Sequence, residues 1–153
     1  MIRKVFLLLL IIFATSCDKL KSIFVEEDPI FTEDFSDISD WTNDGWTVSS
    51  SSKCSSVDCV LSYVTGSNTG PHELSRNIDL DSGHTMEFWV YIYSPSGNIS
   101  CYFDSTLIWS KSGYGIENVS ILIDDDGINN IKFISNGPEL SSVYLDELII
   151  RNN

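Results

Sequence analysis

The stretch MEFWVYIYS, residues 86–94, decides the fold. Met86, Phe88, Val90 and Ile92 fall in one phase of a two-residue repeat. Glu87, Trp89, Tyr91 and Tyr93 fall in the other. Aromatic and β-branched side chains at this period read as a strand. Residues on one face of a strand stand ~6.8 Å apart. The aliphatic phase therefore faces a core, and the aromatic phase lines the outside of a sheet.

The same alternation recurs along the chain, and no stretch after residue 20 has a helical period. Strands are expected over 31–36, 45–50, 58–65, 73–80, 85–94, 98–104, 106–110, 117–124, 128–135 and 142–151. Short strands broken by Gly, Asn, Ser and Asp turns predict an all-β domain, an antiparallel two-sheet β-sandwich of jelly-roll type. Trp41, Trp46 and Trp109 are expected in its core or at its rim. Asp126-Gly127 in DDDGINN signals a hairpin, because glycine accepts positive φ. The acids there do not have EF-hand spacing: counting back five from Gly127 puts Leu122 at the first ligand position. SPSGN, 94–98, is a second turn, and SSSSKCSS, 49–56, is a surface loop by composition. In the last strand the apolar phase switches from Val143 and Leu145 to Leu148 and Ile150. A β-bulge at Asp146-Glu147 would produce that switch.

Acidic residues number 22 against 9 basic ones, for a formal net charge of −13. Such a surface repels nucleic acid and anionic lipid headgroups. Most of the acids are expected to form a solvated face. Residues 30–153 suit one domain with one core.

The first residues carry an address. Arg3 and Lys4 precede an unbroken apolar run, Val5 to Ala14, which is too short to span a bilayer. Ala14-Thr15-Ser16-Cys17 follows where a cleavage site belongs. Small residues at Ala14 and Ser16 suit the ordinary secretory peptidase. The stretch also resembles a bacterial lipoprotein signal, with Ala14 where that signal usually has Leu. The resemblance implies a signal peptide over 1–16, lipid on Cys17, a tether over 17–29, and a location in the bacterial cell envelope. An oxidising compartment permits a disulfide. Cys54 and Cys59 in KCSSVDC are close enough to close a small loop, which leaves Cys101 buried as a small hydrophobe. Cys59–Cys101 across the core is the rival pairing.

Residues 31–150 resemble, in order and spacing, the jelly-roll sandwiches of bacterial carbohydrate-binding modules and MAM-type extracellular domains. The matching pieces are EDFS with Trp41, GWTV, ELSRNIDL, MEFWVYIYS, CYFDS, VSILIDDDGINNIKF and VYLDELII. The resemblance implies a structural Ca²⁺ between the first and last strands. The positions that match its acids are Glu33, Asp34 and Asp146, with Ser36 where a glutamate is common. Carboxylates gathered from distant strands need such a cation. The alternative is acids on a solvated edge, which discourage edge pairing.

Trp89, Tyr91 and Tyr93, with Glu87 beside them, are the candidate ligand residues. Tyr102, opposite in phase to Ile99, Cys101 and Phe103, is expected to extend their platform. Flat rings stack on the apolar face of a sugar while polar neighbours fix its hydroxyls. Cross-strand packing, or cover by a loop or the tether, is the structural alternative. His72 and His84 read as turn residues without a nucleophile pattern, and no phosphate loop or zinc motif is present. A paired-carboxylate hydrolase would need a second acid beside Glu87. The expected function is non-catalytic binding, of glycan first and of an envelope protein as the alternative.

Overall fold

The computed structural model describes residues 28–66 and 70–153. The expected leader, the expected lipidation site Cys17 and most of the expected tether lie outside them. Eleven strands are formed among the described residues: β1 (Phe31–Glu33), β2 (Thr42–Asp44), β3 (Trp46–Ser49), β4 (Cys59–Tyr63), β5 (His72–Leu80), β6 (His84–Ile92), β7 (Asn98–Phe103), β8 (Thr106–Ser112), β9 (Gly115–Ile123), β10 (Ile128–Asn136) and β11 (Ser142–Asn152). They pair antiparallel in two sheets. Sheet A runs β3-β4-β11-β6-β9, with β1 added along β11. Sheet B runs β2-β5-β10-β7-β8. The fold is the expected all-β jelly-roll sandwich.

Alternation fills the space between the sheets. Met86, Phe88, Val90 and Ile92 of β6 are buried there with Leu74, Ile99, Cys101 and Phe133 of sheet B. Trp41 and Trp46 join this core, and Trp109 packs edge-on against Phe88 at 5.2 Å. The expected bulge is present: the β11–β6 register shifts between Asp146 and Ile149. It returns Leu148 and Ile150 to the core after Val143 and Leu145.

Ionic contacts stitch the sheets along both flanks. Glu33 of β1 pairs with Arg76 of β5 at 3.0 Å and accepts a bond of 3.0 Å from Trp41 Nε1. Glu117 of β9 pairs with Lys111 of β8 at 2.9 Å and accepts from Trp109 Nε1 at 3.3 Å. These pairs are partly shielded, so removing one partner would leave a poorly solvated charge behind.

The histidines depart from expectation, since neither is in a turn. His84 begins β6, and its Nδ1–H donates to the Asp81 carbonyl at 2.6 Å. His72 begins β5 and is buried. Ser135 donates to Ser62, whose hydroxyl lies 2.7 Å from His72 Nδ1. This serine–histidine pair is sealed between the sheets and serves as internal polar packing. The chain crosses from β2 to β3, and so from sheet B to sheet A, over the His72 ring at Gly45. Gly45 has φ +89°, and a Cβ there would lie 2.5 Å from ring atoms of His72.

Gly45→Ala therefore meets both backbone strain and a buried ring. It is expected to lower unfolding free energy by about 2 kcal/mol or more. Urea denaturation against wild type checks this, and an unchanged midpoint would refute the close packing at this crossing.

Candidate ligand-binding face

The outer face of sheet A divides into a covered half and an open half. Along β6 its residues are Glu87, Trp89 and Tyr91, with Tyr93 just past the strand's end. Ser120, Asn118 and Ile116 of β9 stand opposite the first three. On the other side of β6 lie Tyr144, Asp146 and Ile149 of β11.

The serine-rich loop between β3 and β4 covers the β11 side. Cys54 and Cys59 are disulfide-bonded, as expected, and Cys101 is a buried free thiol that burial pushes well above the ordinary thiol range. The rival Cys59–Cys101 pairing does not form, because Cys59 packs with Cys54 outside sheet A while Cys101 lies in the core between the sheets. The disulfide, Trp89 and Tyr144 form a second apolar cluster outside the main core. Asp146 pins the loop to it. Its carboxylate is fully buried and accepts from Ser55 Oγ at 2.9 Å, Ser56 N at 2.8 Å and Ser56 Oγ at 3.0 Å. It also accepts from Glu147 N at 2.8 Å, which holds the bulge.

Trp89 is consequently only 9% exposed and is no open stacking face. The open rings are Tyr93, 48% exposed, and Tyr114, 63% exposed. Tyr91 lies half-buried between them, with ring centroids 5.9 Å from Tyr93 and 5.8 Å from Tyr114. It also stacks on Tyr144 at 5.9 Å. The hydroxyls of Tyr91 and Tyr114 are 3.0 Å apart. That hydrogen bond, then burial and the surrounding tyrosines, push the Tyr91 phenol up to about 12, so it remains neutral around pH 7. Lys53 from the covering loop places Nζ 3.3 Å above the Tyr93 ring, a cation–π contact. Tyr114, Tyr144 and Lys53 were not foreseen. Tyr114 sits in the Gly-flanked turn before β9, where alternation gives no signal.

Beyond Trp89 the face sinks into a depression of about 260 Å³. Glu87, Trp89, Asn118, Ser120, Glu147 and Ile149 line it. Glu147 is the second acid that the sequence did not place beside Glu87. It sits in the bulge with φ +53°, outside ordinary strand geometry. Glu87 pairs with Arg151 at 3.5 Å.

Two expectations are corrected. Tyr102 does not extend the platform. It lies in β7, on the outer face of the opposite sheet, with Lys132 Nζ 5.7 Å from its ring centroid. Glu33, Asp34 and Asp146 do not form a calcium site. Glu33 holds Arg76 and Trp41, and Asp146 is occupied by the covering loop. Asp34 turns onto the Ser36 amide and hydroxyl, which hold its carboxyl below the usual range. No group of three His, Cys, Asp or Glu suited to a metal occurs among the described residues.

Reducing the Cys54–Cys59 bridge, which spans a sequence separation of 5, is expected to remove about 2 kcal/mol of stability. Trp89 should then become more accessible to acrylamide quenching. Unchanged quenching would mean that the Asp146 bonds hold the loop without the bridge.

No protein-family model matches the chain, and no curated protein does. Solved structures do. The K3 adhesin domain of Lys-gingipain from Porphyromonas gingivalis W83 superposes with TM-score 0.66 at 18% identity, covering 82% of this chain and 100% of that one. The module TmCBM61, solved with β-1,4-galactotriose, gives TM-score 0.57 at 15% identity over 76% of this chain and 91% of its own. The carbohydrate-binding module CBM36, solved with calcium and xylotriose, gives TM-score 0.53 at 12% identity over 79% and 99%. At these identities the likeness establishes the fold, a β-sandwich shared with adhesin domains and carbohydrate-binding modules.

Proposed function

We propose that the protein is a non-catalytic glycan-binding protein of the bacterial cell envelope, tethered through lipid on Cys17. The exposed Tyr93–Tyr114 pair carries the glycan reading. Tyr114 and the part of Tyr93 that Lys53 leaves free, buttressed by Tyr91, offer apolar surface to sugar C–H groups. The depression beside them offers carboxylate, amide and hydroxyl partners. The serine–histidine pair is sealed in the interior and meets no substrate. The likeness to modules solved with galactotriose and xylotriose supports the reading.

Ile116, 61% exposed beside the tyrosines, favours a second reading in which the patch meets an envelope protein. Exposed apolar surface fits such an interface as well.

Affinity electrophoresis of the full chain in mild detergent, through gels carrying different polysaccharides, separates the two readings. At least one polysaccharide is expected to retard the protein without releasing new reducing ends. Tyr93→Ala with Tyr114→Ala should weaken retention roughly tenfold or more, the scale of losing base-like or sugar stacking on two rings. A folded protein that no polysaccharide retards would shift the assignment to the protein interface. For the anchor, fatty-acid labelling in a bacterial host is expected to mark the wild type and to fail in Cys17→Ala. Equal labelling of both would refute the lipidation.

A further inference from the structure

We propose that the depression between β6, β9 and the β11 bulge is a subsite for an amino sugar, whose ammonium pairs with Glu147. The inference rests on the glycan reading and names the kind of sugar. The cavity is small, about 260 Å³, below the ~300–1,000 Å³ of drug-sized pockets, which suits a single ring. Trp89 and Ile149 supply apolar lining, and Asn118 and Ser120 supply an amide and a hydroxyl. This mixture fits a ring with one apolar face and a polar rim.

Charge then decides the class. Glu33 and Glu117 are each neutralised by a cation, and Asp146 is surrounded by four donors. Glu147 is different. Its carboxylate makes no hydrogen bond or ion pair among the described residues, although the bulge holds its backbone firmly. Glu87 has Arg151 at 3.5 Å, so the cavity keeps one uncompensated negative charge. A protonated amine is the sugar substituent that matches it, and charge-assisted bonds to carboxylate are the strong kind. Uronate or sulfate at the same place would be repelled, the more so by a chain of net charge −13. Glu87 and Tyr91 are four residues apart on β6, about 13 Å. To reach both the cavity and the tyrosine patch, an oligosaccharide runs over the exposed Asn118 of β9, beside the covered Trp89.

Isothermal titration of the full chain with a β-1,4-glucosamine hexamer, its N-acetylated counterpart and an oligogalacturonate tests this. The glucosamine hexamer is expected to bind tightest, and the galacturonate not at all. E147Q should lower glucosamine affinity roughly tenfold, the scale of one charge-assisted bond, and leave the N-acetylated ligand unchanged. D79N, on the outer face of sheet B, serves as the control for bulk charge. An unaffected E147Q, or an equal loss in D79N, overturns the subsite while leaving the glycan reading intact. If no sugar binds, and the Tyr93/Tyr114 variant changes nothing, the glycan reading itself fails. Thermal unfolding of E147Q, whose side chain is exposed, confirms that any loss is local.

Discussion

The carboxylate of Asp146 accepts hydrogen bonds from Ser55, Ser56 and the Glu147 amide in a fully buried setting. A buried carboxylate is costly without such donors. Satisfying it draws the 49–58 loop down on β11 and fixes the bulge. Three consequences follow from one side chain. The disulfide is pressed onto Trp89 and Tyr144, the aromatic stripe is closed at its middle, and Glu147 is brought to the wall of the depression. What stays open on sheet A is what this contact leaves uncovered.

The flanks obey the same logic of compensation. The chain has few cations for its many acids, and two of the described ones, Arg76 and Lys111, are spent where an acid of one sheet meets the other. Arg76 serves Glu33 and also lies against the Phe31 and Trp41 rings, at 5.1 and 5.8 Å. Lys111 serves Glu117. At Glu33, Asp34 and Asp146 protein donors already do the work that the implied calcium would do. The adhesin domains and modules of similar fold show how far such a sandwich tolerates sequence change. The covering loop and its single carboxylate anchor are read from this chain alone.

Much of the fold was legible because a sandwich core imposes a period of two. Ten of the eleven strands announced themselves, and so did the bulge, whose phase switch is visible in Val143, Leu145, Leu148 and Ile150. The exception, Thr42–Asp44, is wholly exposed and has no apolar phase to read. The site was legible only in part. Periodicity tells which face of a strand a residue occupies, but not which sheet the strand joins. Tyr102 was thus placed beside Tyr91 when it lies on the opposite sheet. Nor does periodicity tell what a loop covers. Trp89 and Tyr93 share one phase, yet one is buried under a disulfide and the other is open. His72 looked like a turn residue because its partners, Ser62 and Ser135, are remote in sequence and polar.

The Cys54–Cys59 bridge ties the loop to its own root, the first residue of β4, and links no two strands to each other. The loop therefore carries its own staple and touches the sandwich through one acid and three aromatic rings, Trp89, Tyr144 and Tyr93. It is a cassette. Its length and side chains can drift over generations without disturbing a core strand, provided the contact with Asp146 is kept. Each new loop would cover a different portion of the same rigid stripe. Evolution can in this way retune what the surface accepts by moving its awning and leaving the wall unaltered.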